Sequence, residues 1–568
     1  MARVVGIGKQ RFDNIIENDC FYIDKTMFIK EWWENQDDVT LITRPRRFGK
    51  TLNMDMLKCF FSNEYKDRGD LFEGLEIWKE EKYREIQGTY PVIFLSFAKV
   101  KQNNYKDAVV GMKRVICDEV QKYMFLKDWD GLTDEEKNNL KSIAYGMDDV
   151  TAQESIASLS NYLSRYYGKN VIIFLDEYDT PMQEAYVNGY WNKLVSFTRS
   201  FFNATFKSNP FLERAVMTGI TRVSKESVFS DLNNLVVITT TSKEYETSFG
   251  FTEEEVFSAL EEYGLSSQKD DVKKWYDGFK FGDIEDIYNP WSIINFLKFK
   301  NLKTYWADSS SNGLVNKLIK TGSVSVKKAM EILIAGGIIE KNIDEQIVYN
   351  QLEQNENAIW SLLLASGYLK VVIVHIYMST DVKQVYELAI TNLETEVMFR
   401  NMVKEWFAYV DTEKNNFVKA LISGDIDAMN SYMKDIALDT FSSFDVAGRE
   451  ESRVRPENFY HGFVLGLMVD KADDYIVKSN KESGFGRYDV MMIPKDSKAG
   501  GLPAMILEFK VMNRSKEKSL EDTVKAALKQ IDERRYDTEL LNAGVKKENI
   551  RHYGFAFEGK KVLIGTEE

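Results

Sequence analysis

Cysteine is scarce in this chain. Cys20, Cys59 and Cys117 are the only three in 568 residues, and none pairs as C-x-x-C, which excludes a disulfide framework and a thiolate zinc site. Histidine is equally rare. His375, His461 and His552 have no HExxH or similar spacing, so any metal is expected to be oxygen-ligated and Mg2+-like. Only 8 Pro and 33 Gly exclude a low-complexity or collagen-like chain. Long apolar runs are absent too. Short runs such as Val371-Val372-Ile373-Val374 fall far short of the ~20 residues that cross a bilayer, so no membrane partner is expected. The opening MARVVGIGKQRFDN turns polar too early for a signal peptide, which makes a reduced, cytoplasmic compartment the expectation. Nor is there a basic surplus. Lys and Arg number 74 against 88 Asp and Glu, a net charge of −14 that excludes a uniformly basic nucleic-acid coat but not a local basic site.

What is present is a globular composition, 44% hydrophobic and 29% charged, long enough for three or four domains of about 150 residues each. Charge is unevenly spread. From Glu451 to Glu568 there are 21 basic and 20 acidic residues, a net of +1, so the preceding 450 residues carry −15. A near-neutral tail on an acidic body suggests two differently employed parts.

The first 250 residues alternate apolar strands with helical patterns, as in an α/β layer with a mainly parallel sheet. Strands are predicted at 39–43, 91–95, 171–175, 214–218 and 235–238. The run Val171-Ile172-Ile173-Phe174-Leu175 is apolar throughout and should be covered on both faces. From Phe251 the pattern becomes helical, beginning with a capping box at Thr252-Glu253-Glu254-Glu255. A strand is predicted at 369–378, helix over 384–445, and helix, strand, strand, helix, strand over the last 120 residues. No fixed-period repeat points to a solenoid.

Between the first strand and its helix stands Arg44-Pro45-Arg46-Arg47-Phe48-Gly49-Lys50-Thr51. The GKT end of the GxxxxGK[ST] phosphate-binding loop is intact, with Arg44 where the first glycine belongs. Backbone N–H groups around Gly49 at a helix N-terminus bind phosphate, Lys50 supplies a cation, Thr51 offers a hydroxyl to Mg2+, and Arg46 and Arg47 add positive charge. A basic surface loop would also carry a lone GKT. The second element is the buried strand ending in Asp176-Glu177-Tyr178-Asp179, where Asp176 can hold Mg2+ and Glu177 can orient or deprotonate water. Thr218 and Thr221 are placed to sense a γ-phosphate, with Arg222 as a charge-neutralising finger. A plain polar strand end gives the same pattern.

These residues, with Tyr22-Ile23-Asp24-Lys25-Thr26, Thr218-Gly219-Ile220-Thr221-Arg222, Trp275-Tyr276-Asp277-Gly278 and Tyr288-Asn289-Pro290-Trp291-Ser292, resemble the bacterial AAA-ATPase-like family over roughly the first 310 residues. The resemblance implies a P-loop fold that takes ATP or GTP with Mg2+. The Tyr-Asp-Gly and Tyr-Asn-Pro-Trp elements themselves read as an ordered turn and a helix start.

Near the C-terminus, Gly486-Arg487-Tyr488-Asp489-Val490 precedes Met505-Ile506-Leu507-Glu508-Phe509-Lys510. Glu508 and Lys510 lie two apart on a strand and therefore share a face. Two acids binding Mg2+ and a lysine that activates water or meets transition-state charge are what metal-dependent phosphodiester hydrolysis requires. Glu457 is a further candidate ligand from a packed helix. Gln530, on a helix striped by Leu520, Val524, Leu528 and Ile531, could touch the scissile phosphate or Lys510, and Tyr536 follows it. Asp…ExK alone also describes an exposed cross-strand pair. The whole order Glu, Asp, ExK, Gln…Tyr resembles the PD-(D/E)XK nuclease superfamily over about residues 455–565.

The expected architecture is α/β: an N-terminal P-loop NTPase (1–250), a helical or winged-helix-like region (251–385), a helical connector (386–450) and a restriction-endonuclease-like domain (451–568). The expected function is ATP binding and hydrolysis coupled to a Mg2+-dependent nuclease acting on DNA. RNA is the alternative substrate, and homo-oligomerisation is left open. The rival reading is a nucleotide-dependent switch whose nuclease-like domain binds nucleic acid or protein without cleaving.

Overall fold

The computed structural model describes residues 2–222, 229, 232–309, 313–344, 352, 355–378, 382–405, 411–433, 466, 471, 473–479, 482–483, 486–487, 489–496, 502–558 and 561–567. The chain divides into two compact units. One comprises Met1–Ser310 with Glu340–Thr395, the other Ser311–Ile339 with Glu396–Glu568.

The first unit is built on β1 (Val39–Thr43), β2 (Val92–Ser96), β3 (Val171–Asp176), β4 (Leu212–Gly219) and β5 (Leu235–Ile238), ordered β2-β3-β4-β1-β5. Every pairing is parallel. β1 and β3 are buried at every position, as continuous apolar runs in a sheet covered on both faces should be. The helix Lys50–Phe61 follows β1 and buries Met56, Leu57, Phe60 and Phe61 at helical spacing. The order places β4 between the strand that enters the phosphate-loop candidate and the strand that ends in Asp176. All three therefore deliver their C-terminal ends to one edge of the sheet, where open α/β sheets bind ligands.

The same unit continues into β6 (Phe251–Thr252), β7 (Phe279–Phe281) and β8 (Ile284–Tyr288), which form a small sheet ordered β6-β8-β7. The capping box predicted at Thr252 and Glu255 is formed. A further sheet, ordered β10-β11-β9, comprises β9 (Ile339–Lys341), β10 (Leu369–Met378) and β11 (Val382–Ile390). β11 corrects the helix predicted from residue 384. Val382, Val385, Tyr386 and Ala389 satisfy helical spacing, but antiparallel pairing with β10 along its whole length decides the structure. The helix expectation holds from Leu393–Glu405 and Asp411–Ser423.

The second unit holds a mixed sheet of β12 (Tyr475–Ser479), β15 (Val490–Pro494), β16 (Ala504–Val511), β17 (Ile550–Glu558) and β18 (Lys561–Gly565), beside a two-stranded hairpin of β13 (Glu482–Ser483) and β14 (Gly486–Arg487). β12 and β18 are strands beyond those predicted, each an antiparallel edge added to the central β15-β16-β17. The helix expected ahead of them falls mostly outside the described residues. β16 and β17 run parallel, joined through the helix Leu520–Arg534. Side chains alternate between two cores with the strand period of two. Val490, Met492, Met505, Leu507, Phe555 and Phe557 pack with Leu421 and Met429, whereas Met491, Ile493, Ala504, Ile506 and Ala556 pack with Val524, Leu528 and Ile531 of the helix. Gly554 sits opposite Glu508, and a Cβ there would come within 2.9 Å of the Val524 carbonyl, so glycine lets the helix approach the sheet.

Candidate functional sites

In the first unit the loop 44–49 joins β1 to its helix. Gly49 caps that helix at φ +80°, a left-handed conformation with no steric cost for glycine. Arg47 is left-handed too, at φ +67°, and its guanidinium lies 4.4 Å from the Trp291 ring centroid. Lys50 is buried, and its Nζ donates to the carbonyls of Arg44 at 2.9 Å and Pro45 at 2.8 Å. Burial pulls its pKa down, against the opposing charges of Glu177, Asp179 and Asp176. Arg46 is half-buried and donates to Gln183 Oε1 at 3.2 Å.

The sequence left the purpose of Arg44 open. Its side chain points into the protein and is fully buried, donating to Thr43 O at 3.0 Å and Thr239 O at 2.6 Å, with the guanidinium 4.6 Å from the Phe281 ring. Burial lowers its pKa to about 9. Arg44 is thus an internal brace of the loop. Arg44→Gly, which restores the usual first glycine, is expected to destabilise the fold by about 2–4 kcal/mol by stripping donors from buried carbonyls. Urea denaturation measures this, and an unchanged midpoint contradicts the bracing role.

The acidic strand meets the loop directly. Thr51 Oγ1 donates to Asp176 Oδ2 at 2.9 Å, and Thr218 Oγ1 donates to Asp176 Oδ1 at 2.6 Å. Burial raises the Asp176 pKa, against these two hydrogen bonds and the charge of Lys50. Glu177, at φ +50°, accepts from Thr180 Oγ1 at 3.0 Å. Left-handed backbone at a non-glycine residue costs energy and tends to gather at functional sites. Thr221 is fully buried, and its Oγ1 and N–H both donate to Asp179 Oδ2, at 3.1 and 3.0 Å. Thr218 is therefore the strand-end threonine that reaches Asp176, while Thr221 is engaged by Asp179. Arg222 Nε is buried without a hydrogen-bond partner among the described residues. A hydroxyl and a carboxylate 2.9 Å apart at a helix N-terminus beside a lysine suit a hard cation carrying phosphate oxygens.

In the second unit the two-residue period governs the site. Glu508 and Lys510 continue the Ala504–Ile506 face of β16, and Asp489 continues the Met491–Ile493 face of β15, so all three face the helix Leu520–Arg534. β15 and β16 pair Val490 with Leu507, which sets Asp489 beside Glu508. Asp489 Oδ2 accepts the Phe509 N–H at 2.8 Å. Gln530 joins the rest. Its Oε1 accepts from Lys510 Nζ at 2.7 Å, and its Nε2 donates to Glu508 Oε1 and, at 3.2 Å, to the Tyr536 hydroxyl. Glu508 Oε2 is buried and has no hydrogen-bond partner among the described residues. Among the described residues no three His, Cys, Asp or Glu gather at one point, and Glu457 lies outside the described residues. Two carboxylates, one with an orphaned buried oxygen, still fit an oxygen-preferring divalent cation that completes its shell with water and phosphate.

Burial, then the charge of Asp489, raises the Glu508 pKa to about 8, with Lys510 opposing. A carboxyl raised above its ordinary 4.5 makes the folded chain hold a proton that the unfolded chain has lost, so stability falls as pH rises through that window. Glu508→Gln removes the slope. Without divalent metal it is expected to stabilise the fold at pH 9 by about 2–4 kcal/mol and to change it little at pH 4.5. Denaturation in chelator at both pH values measures this, and parallel curves contradict the buried-proton account.

Two family models match these segments. Residues 6–229 match the family described as Predicted AAA-ATPase, and residues 455–567 match the PD-(D/E)XK nuclease superfamily. Both resemblances read from the motifs are borne out, and each match spans its candidate site. The chain is also similar to the "Uncharacterized protein in vnfD 5'region" of Azotobacter chroococcum mcd 1, 26% identical over 311 residues, or 54% of each chain. It therefore spans about half the length of the curated relative it matches.

Proposed function

We propose that this chain, with an AAA-ATPase-like segment ahead of a PD-(D/E)XK nuclease-like one, binds and hydrolyses ATP and couples it to Mg2+-dependent cleavage of DNA. The observation that carries the reading is that Asp489, Glu508 and Lys510 share one sheet face against Gln530 of the facing helix, with Glu508 Oε2 buried and without a hydrogen-bond partner among the described residues. A purely structural cross-strand pair would sit in solvent rather than bury its carboxylate.

At the first site Lys50 and Arg46 bind the polyphosphate, GTP being the alternative nucleotide, and Thr51 and Asp176 are the residues that would hold its Mg2+. Glu177 takes the proton of the attacking water. Thr218 fixes the Asp176 carboxylate, and Arg222 meets charge developing on the γ-phosphate. At the second site Asp489 and Glu508 would hold Mg2+, with Glu457 as a further ligand. Those carboxylates would let a bound ion supply Lewis-acid polarisation of the scissile phosphate. Lys510 presents its ammonium to the attacking water or to the charge building on the phosphoryl oxygens. Gln530 holds Lys510 and Glu508 in register.

Incubating the full chain with plasmid and single-stranded DNA in Mg2+ tests the reading. Cleavage is expected, and its absence with every divalent metal leaves the C-terminal segment a binding module. Glu177→Gln is expected to leave ATP affinity within about twofold and to slow turnover by ~10²-fold or more, because an amide cannot take the proton. Phosphate release beside calorimetry reads both, and equal turnover makes Glu177 structural.

A further inference from the structure

Gln183 belongs to no motif and has no part in the chemistry assigned above. It lies on the helix Thr180–Val187, one turn beyond Asp179. Its amide is used at both ends: Oε1 accepts from Arg46 Nη2 at 3.2 Å, and Nε2 donates to Asp179 Oδ2 at 2.9 Å. The reverse amide orientation would turn NH2 toward the guanidinium and oxygen toward the carboxylate, so the two neighbours dictate its polarity.

Asp179 is itself buried. Besides Gln183, its Oδ2 accepts the N–H of Ile220 at 3.0 Å, the N–H of Thr221 at 3.0 Å and Thr221 Oγ1 at 3.1 Å. The Tyr178 hydroxyl donates to Thr221 O at 2.7 Å. The turn between β4 and Arg222 is thus held from below by one carboxylate and linked through one amide to the arginine of the phosphate-binding loop. Charge at Arg46 reaches Lys50, whose pKa it helps to lower.

We infer that Gln183 is a positioning residue of the nucleotide site, one that with Asp179 fixes Arg46 toward the polyphosphate of a nucleoside triphosphate and ties it to the turn carrying Arg222. The inference rests on the nucleotide-binding reading proposed above. Gln183 touches no phosphate and acts through Arg46. Its loss therefore matters only while Arg46 is present.

Calorimetry with a non-hydrolysable ATP analogue and Mg2+ on the full chain tests this with the parent, Gln183→Met, Arg46→Ala and the double variant. Gln183→Met is expected to weaken binding roughly tenfold, the scale of one charge-assisted contact. The double variant should bind no more weakly than Arg46→Ala. Gln183→Glu reproduces both contacts only while its carboxyl is protonated, donating to Asp179 and accepting from the guanidinium, so its affinity should approach the parent's at low pH and fall relative to the parent as pH rises; it also serves if the methionine variant folds poorly. Additive losses, no loss in Gln183→Met, or a Gln183→Glu affinity that keeps a constant ratio to the parent's across pH overturn the inference while leaving nucleotide binding intact. A parent that binds no nucleotide overturns the nucleotide reading and this inference together.

Discussion

Lys50→Ala is expected to raise the Kd for ATP by at least ~30-fold, the effect of losing one or two charge-assisted hydrogen bonds at about 1.5–3 kcal/mol each. The lysine is placed for this by its position at the start of the helix Lys50–Phe61, where helix N–H groups already favour an anion. It is also the buried cation facing Asp176, Glu177 and Asp179, whose charges act on it. Removing it leaves three acids beside an incoming polyphosphate, so like-charge repulsion adds to the lost contact. Lys50→Arg should recover little, because a planar fork cannot occupy the place from which a compact ammonium reaches the Arg44 and Pro45 carbonyls. Calorimetry showing unchanged affinity in Lys50→Ala would remove the phosphate-loop assignment.

Asp489→Ala and Lys510→Ala are each expected to reduce DNA cleavage by about 10³-fold or more, for different reasons. Loss of Asp489 takes away a carboxylate proposed to bind the metal and the acceptor of the Phe509 N–H, so the Mg2+ dependence should shift to higher concentration. Loss of Lys510 leaves both carboxylates in place. Metal affinity should hold while the rate at saturating Mg2+ collapses. Gln530 loses one of its partners in Lys510→Ala but retains Glu508 and Tyr536, so the helix Leu520–Arg534 should stay docked. Titrating Mg2+ against each variant separates the roles, and identical curves for the two would contradict them.

The sites differ in how much of them the sequence displays. Asp489, Glu508 and Lys510 were legible because the strand period carries a face reliably, and that period puts all three against one helix. The phosphate loop was legible from its GKT end and the apolar strand before it. The inward course of Arg44 was not, because Thr239 and Phe281 approach it from about 200 residues or more away along the chain. Gln183 gave no signal, since a glutamine on a short helix has many uses and only its two partners reveal this one. β11 was misread for a different reason. Its apolar spacing serves helix and strand equally, and the choice is made by β10, an antiparallel partner that local periodicity does not contain.

The central claim, that one chain couples nucleotide binding to phosphodiester cleavage, is tested most directly by the rate of plasmid cleavage in Mg2+ with and without saturating ATP. The parent and Lys50→Ala are compared, with Lys510→Ala as the blank. The account predicts a rate that changes several-fold with ATP in the parent, does not respond to ATP in Lys50→Ala, and is absent in Lys510→Ala. Cleavage that ignores ATP in the parent, or that persists in Lys510→Ala, would contradict it.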